Sequence, residues 1–397
     1  MSQSPFPPFK EFITSLRSGN KQFGVYNQRR DLSIIKKYII DLYDGTSAVH
    51  SFQDEYGQVW DCIPFDEQPT LNKYQLKLAE PADMEWSGQN EESDEERITS
   101  NYNNQKVDPY GNKMQCPVGT IPMKRVRVED VAAAGNLKSF LRKKSIRFGK
   151  SQKVAAFNKG HEYALGAQRV ENRGGISFLN IWQPTVEPGQ YFSLSQIWVS
   201  GITANNRQIV ECGWQVAPQL YHDGRPNLFV FWTPDDYKTG YYNLTGPGFV
   251  QTNSNWMVGY PFAYISRPNA QQYDISMAWY QRPDGNWWLY INGSKKADAV
   301  GYYPAEIFNN GQLTRFANDI KFGGEVSGET SLPPMGSGQR AAFGFKRAAY
   351  QRNVEIFTLD REPQGARITA LTSMPDRYSI EIGTDPNWGT FFYFGGA

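Results

Sequence analysis

From about residue 155 onward the chain is written in short runs in which apolar and polar positions alternate. Examples are ISFLNIW (176–182), YFSLSQIWVSGI (191–202), QIVECGWQV (208–216), NLFVFWT (227–233) and IKFGGEV (320–326). Each is rich in Val, Ile, Phe, Tyr or Trp and is bounded by turn residues, the pattern of β-strands. ISMAWYQ (275–281), RPDGN (282–286) and WWLYING (287–293) read as a hairpin, with Asp284-Gly285 supplying the tight turn. About ten such strands with almost no helical stretch predict an antiparallel sandwich or barrel. Large side chains on both faces of many runs favour a sandwich of two packed sheets, which hides one face of each sheet and lets the other line a groove.

The first 154 residues differ in kind. LSIIKKYIIDLY (32–43) places Ile34, Ile35, Tyr38, Ile39 and Leu42 at helical spacing, although isoleucine and tyrosine suit a strand equally. VEDVAAAGNLKSFL (128–141) also reads as helical, with Gly135 its weak point. Between them, residues 82–114 are polar, carry the acidic run EESDEER (91–97), and predict a mobile linker with a solvated loop. The later basic cluster of Arg142, Lys143, Lys144 and Arg147 lacks interleaved aromatics. It reads as a solvated face or a partner for the acidic run, open to proteolysis between domains. Two regions follow: a smaller mixed α/β unit over 1–154 and a β-sandwich over 155–397.

Composition narrows the function classes. A net charge of +1 over 397 residues argues against a nucleic-acid partner. No apolar run of about 18 residues predicts a membrane span, and the N-terminus lacks the apolar core of a signal peptide. Cys62, Cys116 and Cys212 are an odd, sparse set that predicts no disulfide framework. With only His50, His161 and His222 beside them, no metal site and no cofactor is expected. Aromatic residues make up 15% of the chain and nine of the eleven tryptophans follow residue 180, so core and groove in the second region both draw on them.

Strand alternation singles out two glutamates. In 208–216, Val210, Cys212, Trp214 and Val216 share one face, and Ile209, Glu211, Gly213 and Gln215 the other. In 320–326, Ile320, Phe322, Gly324 and Val326 oppose Lys321, Gly323 and Glu325. Each glutamate thus sits on the open face of a strand with an apolar back. A glycine two residues away leaves room for an approaching group. Neighbouring aromatics rather than charges predict partial desolvation, which raises a carboxyl pKa, and a shared site raises one of two further. One acid and one base is what paired proton transfer requires.

Other chemistry has weaker support. No Gly-x-Ser-x-Gly elbow is present. Ser193 and Ser195 read as exposed strand serines, and Cys212 as a core thiol. His161 or His222 could serve a nucleophile, but His222 lies in a turn-like, solvated segment. The Gly pairs at 174–175, 323–324 and 395–396 precede no helix, so they cradle no phosphate.

The second region resembles the neprosin family of glutamic peptidases. FSLSQIWV (192–199), VECGWQV (210–216), TGYYNLTGPGFVQ (239–251), GNWWLYING (285–293), VGYYPAEIF (300–308), FGGEV (322–326) and WGTFFYFGG (388–396) fall in the family's order. The first region resembles the family's propeptide, through GQVWDCIPFDEQPTLN (57–72) and CPVGTIPMKR (116–125). The resemblance implies a cofactor-free endopeptidase with Glu211 and Glu325 as its acid/base pair. It would act on proline-rich polypeptide at acidic pH and be covered by its own N-terminal region until activation. Gln196, Trp198, Gly213, Trp214, Gln215 and Gly324 are the candidate groove residues. Tyr241, Gly246 and Arg377 stand where the family pattern has cysteines, the first two a disulfide lost as a pair. With no signal peptide, that loss points to an intracellular site or non-standard export rather than the family's usual secretion. The same carboxylate pair also suits a glycoside hydrolase, and the aromatic groove alone suits a non-enzymatic binding sandwich.

Overall fold

The computed structural model describes residues 6–18, 29–82, 84, 100–102, 105–141, 143, 160–292 and 297–397. The N-terminal region holds helices α1 (Phe9–Arg17), α2 (Arg29–Leu42), α3 (Pro69–Tyr74), α4 (Val128–Ala133) and α5 (Leu137–Leu141). Its small antiparallel sheet comprises β1 (His50–Gln53), β2 (Val59–Pro64) and β3 (Thr120–Lys124). The segment 32–43 is helical because Ile35, Ile39 and Leu42 reach one core, whereas Ile34 faces outward and is 47% exposed. Gly135 breaks the second helical segment into α4 and α5 through a left-handed φ of +86°, which a glycine adopts without a steric cost. At the centre of this region the Arg125 guanidinium makes two bonds of 2.6 and 2.8 Å to the buried Asp61 carboxylate.

The rest is a sandwich of antiparallel strands. Its seven-stranded sheet draws on β4 (His161–Gln168), β6 (Gln190–Ile202), β7 (Arg207–Val216), β8 (Asn227–Thr233), β9 (Tyr241–Tyr242), β14 (Asp319–Gly328) and β17 (Thr369–Thr372). Across that sheet the order is β17-β4-β14-β6-β7-β8-β9. The nine-stranded sheet contains β5 (Gly174–Asn180), β10 (Val250–Gln251), β11 (Asp274–Gln281), β12 (Trp287–Ile291), β13 (Asp298–Tyr303), β15 (Ala349–Phe357), β16 (Pro363–Gly365), β18 (Tyr378–Asp385) and β19 (Gly389–Gly396). β11 and β12 form the expected hairpin, pairing Gln281 with Trp287 around Gly285. Alternation sends Val210, Cys212, Trp214 and Val216 of β7, and Ile320, Phe322 and Val326 of β14, into the core between the sheets. Ser193 and Ser195 are buried, not exposed: their face of β6 is the inner one, where Gln351 of β15 donates to the Ser195 hydroxyl. Tyr241 lies against Gly246, where any Cβ would come within 2.1 Å of the tyrosine ring. The two positions are thus in contact.

The N-terminal region packs on the sandwich through polar anchors. Gln68 and Gln251 exchange bonds of 2.8 Å, Thr70 donates to the Phe249 carbonyl, and Tyr38 donates to the Thr245 carbonyl. Two expectations need correction. Residues 100–102 and 105–114, placed in the polar linker, are docked: Asn101 is buried and its amide bonds the Met257 and Tyr260 carbonyls. Low hydrophobicity misleads there because a few residues suffice: the Asn101 amide satisfies a loop of the sandwich while Tyr102 and Met114 are buried in one cluster with Met257 and Tyr260. The acidic run 91–97 lies outside the described residues. Cys62 and Cys116 form a disulfide, so the cysteines do staple one unit. Their spacing of 54 residues carries no signature, since the bridge depends on the β2–β3 pairing that brings the ends together. It also weakens the inference of a non-oxidising compartment from cysteine loss.

Closing a loop of that length stabilises a fold by about 4 kcal/mol in the chain-entropy description. Replacing both Cys62 and Cys116 by Ser should therefore lower the denaturant midpoint of the N-terminal region. Unfolded without reductant, the parent chain should react with a maleimide once, at Cys212. Three reactive thiols before reduction would refute the bridge.

Candidate active site

β6 is the middle of three strands, with β14 on one side and β7 on the other. In register, Glu325 lies opposite Leu194 and Glu211 opposite Trp198, while Gln196 is flanked by Gly323 and Gly213. Glu211, Gln196 and Glu325 therefore occupy the outer face of the seven-stranded sheet, each with an apolar inner neighbour. Both glycines are required by close packing rather than by an open approach. A Cβ at Gly213 would meet the Ser195 carbonyl at 2.0 Å, and one at Gly323 (φ +141°) the Ala164 carbonyl at 2.5 Å.

The two carboxylates meet at one cation. Lys143, just past the end of α5, places Nζ 2.5 Å from Glu211 Oε2 and 2.8 Å from Glu325 Oε2. Those two oxygens are thus separated by no more than the two distances laid end to end, well inside the ~10 Å beyond which two carboxyl groups share no water. All three residues are buried, with Glu211 at 0% and Glu325 at 2% exposure. The open face expected from alternation is covered. Lys143 Nζ also lies 5.5 Å from the Trp198 ring centre and 5.8 Å from that of Phe192, a favourable setting for an ammonium.

The remaining partners differ between the glutamates. Tyr237 donates to Glu211 Oε1 at 2.9 Å. Glu325 has His161 Nδ1 at 2.7 Å from Oε1 and the Gln196 amide at 3.1 Å from Oε2, and Tyr163 bonds it as well. Burial raises the Glu211 carboxyl above its ordinary value, and the Glu325 charge adds to this against the pull of Lys143. Burial opposes the charge on Glu325 too, but Lys143 and His161 outweigh it and hold that carboxyl at about 2. Burial works against the Lys143 charge, yet the two carboxylates raise its pKa above the usual lysine value.

Of the candidate groove residues, Gln196, Trp198, Gly213 and Gln215 lie on the outer face with the glutamates. Trp214 does not: it points inward and its indole donates to the Asn180 carbonyl. Gly324 is also on the inner face, against Met335 and Phe394. Both follow from the same alternation that places the glutamates outward. A cavity of about 90 Å³ adjoins Lys143, walled by Phe140, Phe192, Gln215, Leu220 and Tyr242. Cys212 is a buried free thiol, and exposed His222 pairs with Asp130 of α4 at 3.3 Å. Sequence reasoning missed three residues here. Lys143 was assigned to a solvated basic face, Tyr237 was not singled out, and His161 was weighed only as a partner for a nucleophile. The alternation of His161, Tyr163, Leu165 and Ala167 is the signal that would have put His161 on the site's face.

Fold and site together define a β-sandwich that carries a buried carboxylate pair under an N-terminal cover. The neprosin family model matches residues 189–397, and the model described as neprosin activation peptide matches residues 51–167. The chain belongs to the neprosin family. Membership supports a peptidase of the glutamic class acting on polypeptide, with an N-terminal region of the activation-peptide type. Among solved structures, the chain is similar to scytalido-glutamic peptidase with a transition-state analogue inhibitor. Identity is 10%, coverage 60% of this chain and 99% of that one, and the TM-score 0.36. SCP-B, a member of the eqolisin family of peptidases in complex with the tripeptide Ala-Ile-His, matches at 10% identity and a TM-score of 0.31, over 60% and 98% of the two chains. Likenesses this distant add nothing to the account of the site.

The depressed Glu325 carboxyl has a consequence for stability. A carboxylate held at about 2 in the fold, against 4.5 as its ordinary value, contributes stability above 4.5 that is lost as pH falls through about 2. Glu325→Gln should make the full chain less stable at pH 7 and flatten its decline between pH 4.5 and 2, measured by thermal unfolding. A parent-like slope in the variant would contradict the assignment.

Proposed function

We propose that this protein is the latent form of a glutamic endopeptidase in which Glu211 and Glu325 are the acid/base pair. The observation that carries the reading is the convergence of two buried carboxylates from separate strands on one ammonium group. When Lys143 is withdrawn, one carboxylate takes a proton from a water whose oxygen adds to the scissile carbonyl carbon. The other, protonated, donates to the carbonyl oxygen. As the C–N bond breaks, the first carboxyl passes the proton it took from water to the leaving amine, and the second recovers its own from the hydroxyl as the carbonyl re-forms. Burial and mutual repulsion keep one of the pair protonated at acidic pH, as the division of roles requires. Cleavage after proline is proposed from the family resemblance. The cavity beside Lys143, with aromatic walls from Phe192 and Tyr242, is a suitable seat for such a ring.

Latency follows from the same contact. Lys143 occupies the position of the reacting water and neutralises the pair, so the N-terminal region blocks both access and chemistry. We place the division between the regions at 154/155, within the stretch outside the described residues. β4 pairs with β14 on one side and β17 on the other, so a cut must leave His161 onward on the sandwich.

Glu211→Gln and Glu325→Gln, assayed on a proline-containing peptide at pH 3–5 after acid treatment of the full chain, should each lose at least ~10²-fold in kcat. Full activity in both variants would end the reading. Lys143→Ala leaves two buried carboxylates without their cation and should destabilise the latent chain by about 3–5 kcal/mol. It should also raise peptide hydrolysis by the untreated chain. A stable, still silent K143A chain would show that the lysine is not the latch.

A further inference from the structure

The two glutamates are chemically identical and equally buried, yet the proposed reaction needs them in different protonation states. Lys143 does not decide between them, because it bonds both and must leave before a substrate binds. What remains is asymmetric. Glu211 keeps the Tyr237 hydroxyl on Oε1, whereas its Oε2 is the oxygen that Lys143 gives up. Glu325 keeps a donor on each oxygen: His161 at 2.7 Å on Oε1 and the Gln196 amide at 3.1 Å on Oε2.

His161 is fixed where it stands. It is 4% exposed, it opens β4 directly opposite Ser327 of β14, and its ring meets Phe192 edge-on with centroids 5.6 Å apart. The titratable and charged groups that act on the carboxylate site beside it come from several elements. They are Glu325 on β14, Tyr163 on its own strand, Glu211 and Arg207 on β7, Tyr237 after β8, Tyr242 on β9, and Lys143 from the N-terminal region. After Lys143 departs, His161 remains in contact with Glu325, while Arg207 is bonded to Asp236 at 2.6 Å. Histidine takes up its proton as solutions turn acid, and a charged donor favours the ionised form of its carboxylate partner.

We propose that His161 is the positioning residue that keeps Glu325 ionised, making it the water-activating member of the pair and leaving Glu211 as the proton donor. The proposal rests on the glutamic-peptidase reading and deepens it. It also explains why a histidine stands beside a carboxylate in a fold with only three histidines. The imidazole acts through Glu325 and need not touch substrate.

The test uses the full chain carrying Lys143→Ala, so that the lysine does not mask the histidine. The glutamate side chains are labelled with ¹³C at the carboxyl carbon, and the Glu325 signal is identified by its absence in Glu325→Gln. Adding His161→Ala should raise the Glu325 titration midpoint by about one pH unit or more. His161→Asn, which keeps a neutral donor near the Nδ1 position, should give an intermediate shift and remains informative if the alanine variant does not fold. The acid limb of the kcat/KM profile after acid processing should move to higher pH by the same amount, with KM little changed. Coincident midpoints in K143A and its H161N or folded H161A derivative would overturn the proposal. Loss of activity in E325Q with an unmoved midpoint would sink His161 alone, whereas an active E325Q would sink the dyad itself.

Discussion

Two carboxylates buried side by side on a sheet face, with one lysine between them, constrain the rest of this structure. Neither glutamate could stay charged in so dry a place without a cation, because the desolvation cost of each ion is several kcal/mol. Lys143 supplies that cation from outside the sheet. Much of the N-terminal region can be understood as the device that holds it there. Arg127 and Asp130 cap α4, Asp130 reaches across to His222, Gly135 turns the chain, and buried Phe140 seats α5 beside Phe192 and Tyr242. The Cys62–Cys116 bridge and the Arg125–Asp61 pair stiffen the platform behind it. Removing one partner from such a cluster is costly because the others are left uncompensated, which makes the closed state cooperative rather than a sum of weak contacts.

The sandwich contributes a register. Glu211 and Glu325 stand on the two strands flanking β6 and are offset along it, one opposite Trp198 and the other opposite Leu194. Gln196 sits between them in the row where both flanking positions are glycine. A one-residue slip of β14 or β7 would turn its glutamate into the core and bring a hydrophobic residue outward. The inner-face apolar residues Val210, Cys212, Trp214, Phe322 and Val326 thus fix the chemistry as well as the fold, since their burial determines which way the carboxylates point.

The strands were legible because their signal is local. Period-two alternation and the Asp284-Gly285 turn need no knowledge of neighbours, and the same alternation oriented both glutamates correctly. It also contained the information that Trp214 and Gly324 face inward, against their selection as groove residues. What was not legible depends on long-range pairing. Lys143 is one of several basic residues in a polar stretch, and only the docking of α5 buries it. Ser193 and Ser195 looked like surface because polarity was taken as exposure, while the inner face between the sheets accommodates them beside Gln351. Cys62 and Cys116 come together only once β2 and β3 pair.

β4 shows why family boundaries and physical boundaries differ. The activation-peptide match runs to residue 167 and so includes nearly all of His161–Gln168. By hydrogen bonding, however, that strand belongs to the sandwich: all eight of its residues pair with β14, from Ile320–Gln168 to Ser327–His161, and four of the eight also pair with β17. Removing it would open two strand edges in the sheet that bears the glutamates, leaving rows of backbone N–H and C=O groups without partners. It would also take away His161 and Tyr163, both bonded to Glu325. The separable unit therefore ends before this strand, however the sequence match extends. The N-terminal region gives the site its lysine, and the first strand of the sandwich gives it a histidine. On the proposed reading, latency and activity differ in a single exchange beside Glu325: a lysine that also bonds Glu211 departs, and the histidine on Oε1 stays.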